Sequence, residues 1–459
     1  MDFLESLKAK VGQEGGPLVA RDAVNQAMIR HWCDAMEDDH PAYTNPDWAA
    51  RSPYGEIVAP PAMLNAWTMQ GLRPPSRPAD AGVDPASEVY QALDGAGYTG
   101  VVATNSEHDY LRYLRLGDWI SGTSRLTDVS EEKKTGLGIG HFVTTETEYV
   151  DQQGESVGRM RFRILKFRPG TGRGLDADEA GEADVSARPK RPLPAASRDT
   201  QFFWDGLEVG ELRIQRCQKC ERLHHPPVVR CPGCGGYELD WKVASGRARL
   251  YSHVMPEYPR FPAFEPGYVV GLVELEEGTR LLTNVVDVDP EAVEVGMPLE
   301  LVIRSDNSDH PLPFFRPAQP RRREVTLRAA DLREGESLPL CPISITPTLI
   351  VATAIASRDY QDVHHDRDLA IQKGSPDIFM NILTTSGLCA RYVTDWAGPE
   401  ASLKRLAIRL GVPNYPGDTM TMTGHLHAVR GNEVELSLQG YNRLGPHVTG
   451  TVTLELPAE

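Results

Sequence analysis

Hydrophobic and polar positions follow two rhythms in this chain, and both occur in the same order near each end. Val24, Met28, Ile29, Trp32, Ala35 and Met36 recur at three- and four-residue spacing, which predicts an amphipathic helix. A second helix is expected after the segment from Tyr54 to Leu64. The rhythm then shortens to two, predicting strands at 98–104, 119–126, 137–150 and 157–167. In the C-terminal region a short apolar stretch at 349–352 reads as strand-like, and a polar loop follows it. Next comes a helix from about 377 to 396, with Ile378, Phe379, Ile382, Leu383, Leu388 and Val393 as its apolar positions. Strands are expected at 402–410, 419–429, 433–441 and 448–456. In the last of these, Val452, Leu454 and Leu456 alternate with Thr451, Thr453 and Glu455, as a half-buried strand requires. Both regions place Gly-Asp just before a strand, at Gly117-Asp118 and Gly417-Asp418. Periodicity alone thus supports two distant repeats of an α+β unit with antiparallel sheet.

Two segments without hydrophobic rhythm divide the chain. Residues 169–199 are rich in Gly, Pro, Ala and charge and read as a flexible linker. Residues 311–323 form a shorter Pro- and Arg-rich junction. Between them lie a short amphipathic helix beginning at Phe202 and strands at 247–254, 268–275, 280–286 and 299–304. The expected division is 1–168, a linker at 169–199, a middle domain at 200–316 and a C-terminal domain at 324–459.

Four of the seven cysteines fall in the middle part, as Cys217-Gln218-Lys219-Cys220 and Cys231-Pro232-Gly233-Cys234. Two such knuckles supply four thiolates, the closed tetrahedral shell of structural zinc, and leave no open position for catalysis. His224 and His225 lie between the knuckles but are not needed for that shell. Cys33, Cys341 and Cys389 are isolated among apolar residues and read as small buried hydrophobes. The formal net charge of −16 argues against nucleic acid, which needs a basic footprint. No apolar stretch is long enough to span a bilayer, and the N-terminus lacks the basic start and apolar core of a secretory signal. The expected location is the cytoplasm.

Candidate catalytic chemistry lies in the C-terminal loop, Ala356-Ser357-Arg358-Asp359-Tyr360-Gln361-Asp362-Val363-His364. An Asp and a His five positions apart can converge on one water molecule, the carboxylate orienting it and the imidazole moving its proton. The same spacing would also serve two residues that merely cap a helix and satisfy a buried polar site.

This loop resembles that of the MaoC-like hydratases, relatives of the (R)-specific enoyl-CoA hydratases, which reads approximately Gly-Asp-x-Asn-Pro-x-His. Arg358 stands in place of the Gly and Gln361-Asp362 in place of Asn-Pro, while Asp359 and His364 remain. The segment at 377–388 is similar to hydratases of bacterial steroid side-chain degradation. The resemblance implies two hotdog domains, a sheet wrapped around a central helix, flanking the middle domain. Laid on the same loop, Asp38 falls at the Asp position but Tyr43 falls where the His should be, which implies a degenerate N-terminal copy. A phenol titrating near pH 10 is a poor base at neutral pH. Residues 73–93, absent from the other copy, are either a surface loop or room for a bulky acyl group. The helix, zinc ribbon and strands at 200–316 resemble the zinc-ribbon/OB-fold family found beside thiolases and acyl-CoA enzymes.

Together these resemblances imply hydration of an α,β-unsaturated acyl-CoA by Asp359 and His364, with a backbone donor near Met380 or Asn381 for the thioester oxygen. They imply structural zinc on Cys217, Cys220, Cys231 and Cys234, no redox cofactor, and a thiolase-like aldolase as partner. Arg321-Arg322-Arg323 reads as a solvated linker or a contact to a CoA phosphate. Hotdog relatives often form homodimers, although two copies in one chain can satisfy that pairing internally. The rival readings are a hotdog acyl-CoA thioesterase and a non-catalytic acyl-CoA-binding scaffold.

Overall fold

The computed structural model describes residues 3–73, 84–172, 188–192 and 195–458. Its backbone divides into two compact units. One comprises Met1–Glu179, Pro320–Pro339 and Ile343–Glu459; the other comprises Ala180–Gln319 and Leu340–Pro342.

The first unit contains the two sequence repeats. Its long strands run in the order Ser121–Val129, Ile139–Val150, Ser156–Arg168, Gly100–Tyr110, Ser402–Leu410, Gly445–Glu455, Glu433–Asn442 and Thr419–Arg430. Each copy contributes four consecutive positions. The two sheets join where Gly100–Tyr110 pairs antiparallel with Ser402–Leu410, in a register from Asn105↔Arg409 to Asp109↔Arg405. The helix Ile382–Ala397 lies against both joining strands and is buried on nearly every side. Polar positions Thr384, Thr385 and Ser386 are buried along with Leu388 and Val393. A helix buried all round must be enclosed by its partners, here the curved sheet. Gly387 admits the neighbouring helix Gln26–Met36, because a Cβ there would meet the Met36 side chain at 2.8 Å.

Several expectations change. The stretch at 349–352 is not a strand but the middle of a helix, Pro347–Ala356, capped by Thr346 through a hydrogen bond from Leu349 N–H. Thr at the cap and Pro in the first turn are a helix start signal that outweighs the β preference of Ile and Val. The central helix begins at Ile382 rather than 377, because the Asn381 side chain accepts from Thr384 N–H and fixes the start there. Residues 73–93 are not simply a loop: 74–83 lie outside the described residues, but Pro85–Gly95 is a helix. Its Val89 and Leu93 pack with Leu7, Leu126, Val129 and Val143.

In the second unit a five-stranded barrel closes in the order Arg247–Val254, Val269–Leu275, Arg280–Val285, Leu312–Pro317 and Pro298–Arg304. The strand Leu312–Pro317 falls inside the segment read as a junction. Its prolines obscure the strand pattern, yet it pairs with Pro298–Arg304 along its length. The described part of the linker is also not free. Arg191 donates from its backbone to Asn307 and from Nη1 to Asn284, and its guanidinium lies 4.5 Å from the Phe264 ring. Helix Gln201–Glu208 and ribbon strand Arg213–Cys217 share the barrel's core through Phe203, Leu207 and Ile214. Cys33, Cys341 and Cys389 are buried, as expected. Among the described residues no helix is long and apolar enough to cross a membrane.

Candidate functional site

The two copies build the same loop by the same backbone contacts. Val24 N–H donates to Asp118 O and Ile345 N–H to Asp418 O, each at 2.8 Å. Helices then start on side-chain caps, Asn25 and Thr346. Both helices end on a non-glycine residue in the left-handed region, Glu37 at φ 52° and Arg358 at φ 59°. The aspartate that follows turns its N–H back onto the helix, Asp38 to Cys33 O at 2.8 Å and Asp359 to Ala354 O at 2.9 Å. This is the wrapped-back C-cap that a left-handed residue permits. Val58 N–H then meets Ala42 O, as Phe379 N–H meets Val363 O; Ala59 N–H meets Leu114 O, as Met380 N–H meets Asn414 O. From Val24 and Ile345 to Ala59 and Met380 the matched positions keep one constant offset between the copies, so the repeat is ungapped from residue 24 to 60 and from 345 to 381, whereas the acceptors Asp118 and Leu114 match Asp418 and Asn414 at a different offset. It equates Asp38 with Asp359, Tyr43 with His364, and Pro60 with Asn381.

In the C-terminal copy the structure brings Asp359 and His364 together. Asp359 Oδ2 lies 3.6 Å from His364 Nε2, and both side chains are largely buried. That distance is too long for a direct hydrogen bond, but both atoms can reach a shared oxygen. His364 Nδ1 lies 2.6 Å from the carbonyl oxygen of Phe379. A carbonyl only accepts, so Nδ1 carries the proton and the neutral ring presents a bare Nε2 toward Asp359. Burial holds the His364 pKa below its ordinary value, against the opposing pull of Asp359. The ring is therefore neutral, and a base, at neutral pH.

Asn381 links this pair to the central helix. Its Nδ2 donates to Asp359 Oδ2 at 3.1 Å and to Ser357 Oγ at 3.0 Å, while its Oδ1 caps the helix. Ser357 is fully buried and donates onward to Ala354 O. Sequence reasoning missed Ser357; its position two residues before the Asp was the available signal. Met380 is buried and its N–H is committed to Asn414 O. Of the two expected backbone donors, this leaves the Asn381 N–H at the start of the helix.

The N-terminal copy holds the same positions in a different state. Asp38 is ion-paired to Arg322 at 2.7 Å, and Arg322 also reaches Asp39 and Asp395. Arg322 is therefore neither a solvated linker residue nor free for a phosphate. Tyr43 is buried, and burial pushes its phenol well above the usual value. Pro60, at the Asn381 position, has neither an N–H nor a side-chain amide.

In the second unit, the sulfurs of Cys217, Cys220, Cys231 and Cys234 lie within 4.8 Å of one another. The closest pairs, Cys217–Cys234 at 3.5 Å and Cys220–Cys231 at 3.6 Å, approach the roughly 3.8 Å edge of a tetrahedron with zinc–sulfur bonds of about 2.3 Å. The residue after the second cysteine of each knuckle is left-handed, Glu221 at φ 57° and Gly235 at φ 70°. These residues fit a structural zinc ion, which four thiolates would enclose completely.

Comparison with known proteins identifies relatives of both units. Residues 9–160 match the family model "FAS1-like, dehydratase domain region". Residues 204–240 match "ChsH2, rubredoxin-like zinc ribbon domain" and residues 241–304 match "ChsH2, C-terminal OB-fold domain". A probable enoyl-CoA hydratase alpha subunit of Thermomonospora curvata is 41% identical over 322 residues, covering 70% of this chain and 98% of that protein. The alpha subunit of the Mycobacterium tuberculosis 3-oxo-4,17-pregnadiene-20-carboxyl-CoA hydratase is 41% identical over 284 residues, covering 62% of this chain and 87% of that subunit. Its beta subunit is 53% identical over 122 residues, covering 27% of this chain and 95% of that subunit. A solved MaoC-like dehydratase superposes with a TM-score of 0.54 at 15% identity, over 98% of this chain and all of the other, and so shares the fold. The chain belongs to the MaoC-like enoyl-CoA hydratases, in a form that carries alpha-subunit and beta-subunit sequences, with a ChsH2-type zinc ribbon and OB fold, in one polypeptide.

Proposed function

We propose that Asp359 and His364 hydrate the α,β double bond of a bulky, steroid-type enoyl-CoA, giving the 3-hydroxyacyl-CoA. The observation that carries this reading is the bare Nε2 of His364 facing Asp359, fixed by the Phe379 carbonyl behind the ring. A water held between the two groups gives its proton to Nε2 as its oxygen bonds to Cβ. The electron pair of the double bond moves onto the thioester as an enolate. The Asn381 N–H, at a helix N-terminus, stabilises the oxyanion. The imidazolium then returns the proton to Cα. Water is added with no change of oxidation state overall, so the step requires no redox cofactor.

Two features support a bulky acyl group. The helix of the N-terminal copy that corresponds to Ile382–Ala397 is only Leu64–Thr68, after a single turn at Pro61–Met63. On this reading the shortening, from the sixteen residues of Ile382–Ala397 to the five of Leu64–Thr68, makes room for the acyl group. The mycobacterial relatives act on a pregnadiene-carboxyl-CoA by name. The hydratase halves are then residues 1–168 and 324–459, with 200–316 docking a thiolase-like aldolase that cleaves the hydrated product.

The test is turnover of purified protein with a steroid enoyl-CoA and a short enoyl-CoA. Asp359→Asn and His364→Ala should each lower kcat/KM by roughly 10²–10⁴-fold, the usual contribution of a positioned acid or base. The acid limb of the parent's kcat/KM profile should lie below the ordinary histidine range, since burial lowers the His364 pKa. Variants that hydrate as fast as the parent would show that the assigned pair is wrong. Release of free CoA without hydration would favour a thioesterase, and binding without turnover a scaffold.

A further inference from the structure

Two guanidinium groups flank Gly71, just beyond the short helix of the N-terminal copy. A Cβ on Gly71 would lie 3.3 Å from Arg358 Nη2 and 3.9 Å from Arg21 Nη1. Only a residue without a side chain leaves that gap open, and at φ +78° the backbone also favours glycine. Arg21 is held in place by the carbonyls of Gln70 and Arg73, each 3.3 Å from Nη1. Arg358 is the residue beside Asp359 and keeps a left-handed backbone that a glycine would adopt without strain.

Neither guanidinium has a carboxylate partner among the described residues. Two like charges converging without a counter-charge repel each other, and the arrangement becomes favourable when an anion joins them. Planar guanidinium groups suit phosphate or carboxylate oxygens, each through paired N–H donors.

We infer that Arg358 and Arg21 bind an anionic oxygen group of the substrate at the rim of the Asp359–His364 site; this rests on the hydration reading above. The anion is either a phosphate of the CoA handle or a carboxylate on the acyl group. The experiment compares crotonyl and glutaconyl thioesters of CoA and of pantetheine, which lacks the nucleotide phosphates. The parent, Arg358→Gln, Arg358→Gly and Arg21→Gln are assayed for KM, and for equilibrium binding by calorimetry. Arg358→Gly removes the charge while easing the backbone, so a folding defect in Arg358→Gln does not decide the outcome.

A phosphate ligand predicts that the variants weaken both CoA thioesters roughly tenfold and the pantetheine thioesters little, the size expected for one charge-assisted contact. A carboxylate ligand predicts the loss for both glutaconyl thioesters and not for the crotonyl ones. Equal KM and binding in parent and variants for all four compounds overturns the inference. If the parent binds but hydrates nothing, the function reading fails, and calorimetry still decides whether the arginines hold the anion.

Discussion

Asn381 divides its two polar atoms between structure and chemistry, and this makes the residue testable. Its Oδ1 caps the central helix and its Nδ2 steadies Asp359. Asn381→Asp keeps a good cap but replaces the amide donor with a second carboxylate beside the first. Asn381→Ala loses both functions and should cost about 1 kcal/mol of stability for the cap alone. The expected result is that Asn381→Asp melts near the parent temperature yet loses activity at least as severely as Asn381→Ala. Thermal unfolding and kcat measured on the same samples check this. If Asn381→Asp is fully active, the amide does not position Asp359. At this scale the sequence showed Asp359, His364 and the Asp38–Tyr43 echo, because loop spacing survives in one dimension. It did not show which atom of Asn381 faces which partner, or that Arg322 would be drawn from a basic run into a buried cluster with Asp38 and Asp395. Those pairings join residues far apart in the chain.

The ungapped match of the two loops shows that the N-terminal element keeps the backbone of the C-terminal one and differs from it at three positions of the proposed site. Tyr43 stands where His364 stands, Arg322 is ion-paired to Asp38, and Pro60 lacks the N–H that Asn381 offers at the helix start. Tyr43→His should therefore not create a second active site. In an Asp359→Asn background it should leave turnover within about twofold of the Asp359→Asn value, because one restored group cannot act without a free carboxylate and an oxyanion donor. Recovery of hydration in that double variant, measured with saturating enoyl-CoA, would refute this account. Most strands were legible from their alternation, and Ser402–Leu410 and Arg247–Val254 match to the residue. The helix Pro347–Ala356 was not. Its Leu-Ile-Val run gives no amphipathic contrast, and only Thr346-Pro347 marks its start. The strand Leu312–Pro317 was hidden by prolines that the barrel tolerates at that position.

Across the whole molecule, the proposed catalytic pair Asp359 and His364 belongs to one compact unit and the four cysteines to the other. The cysteine ribbon is not an appendage of its own unit. Leu212 and Ile214, at the start of the ribbon, belong to the same buried cluster as Leu250, Val273 and Phe315 of the barrel. A four-thiolate site is coupled to folding because unliganded thiols cannot hold the two knuckles together. Loss of metal should thus loosen the barrel as well as the ribbon. Chelation, or Cys217→Ser with Cys231→Ser, should lower the unfolding temperature of the second unit and increase proteolysis within 200–316. Hydration at the Asp359–His364 site should persist, because its hydrogen-bonding partners Phe379, Asn381 and Ser357 all belong to the first unit. Limited proteolysis and enoyl-CoA turnover on the same chelated sample separate these outcomes. Parallel loss of activity and ribbon structure would mean that the units fold as one, whereas intact activity with a cleaved ribbon would locate the zinc's contribution in the second unit.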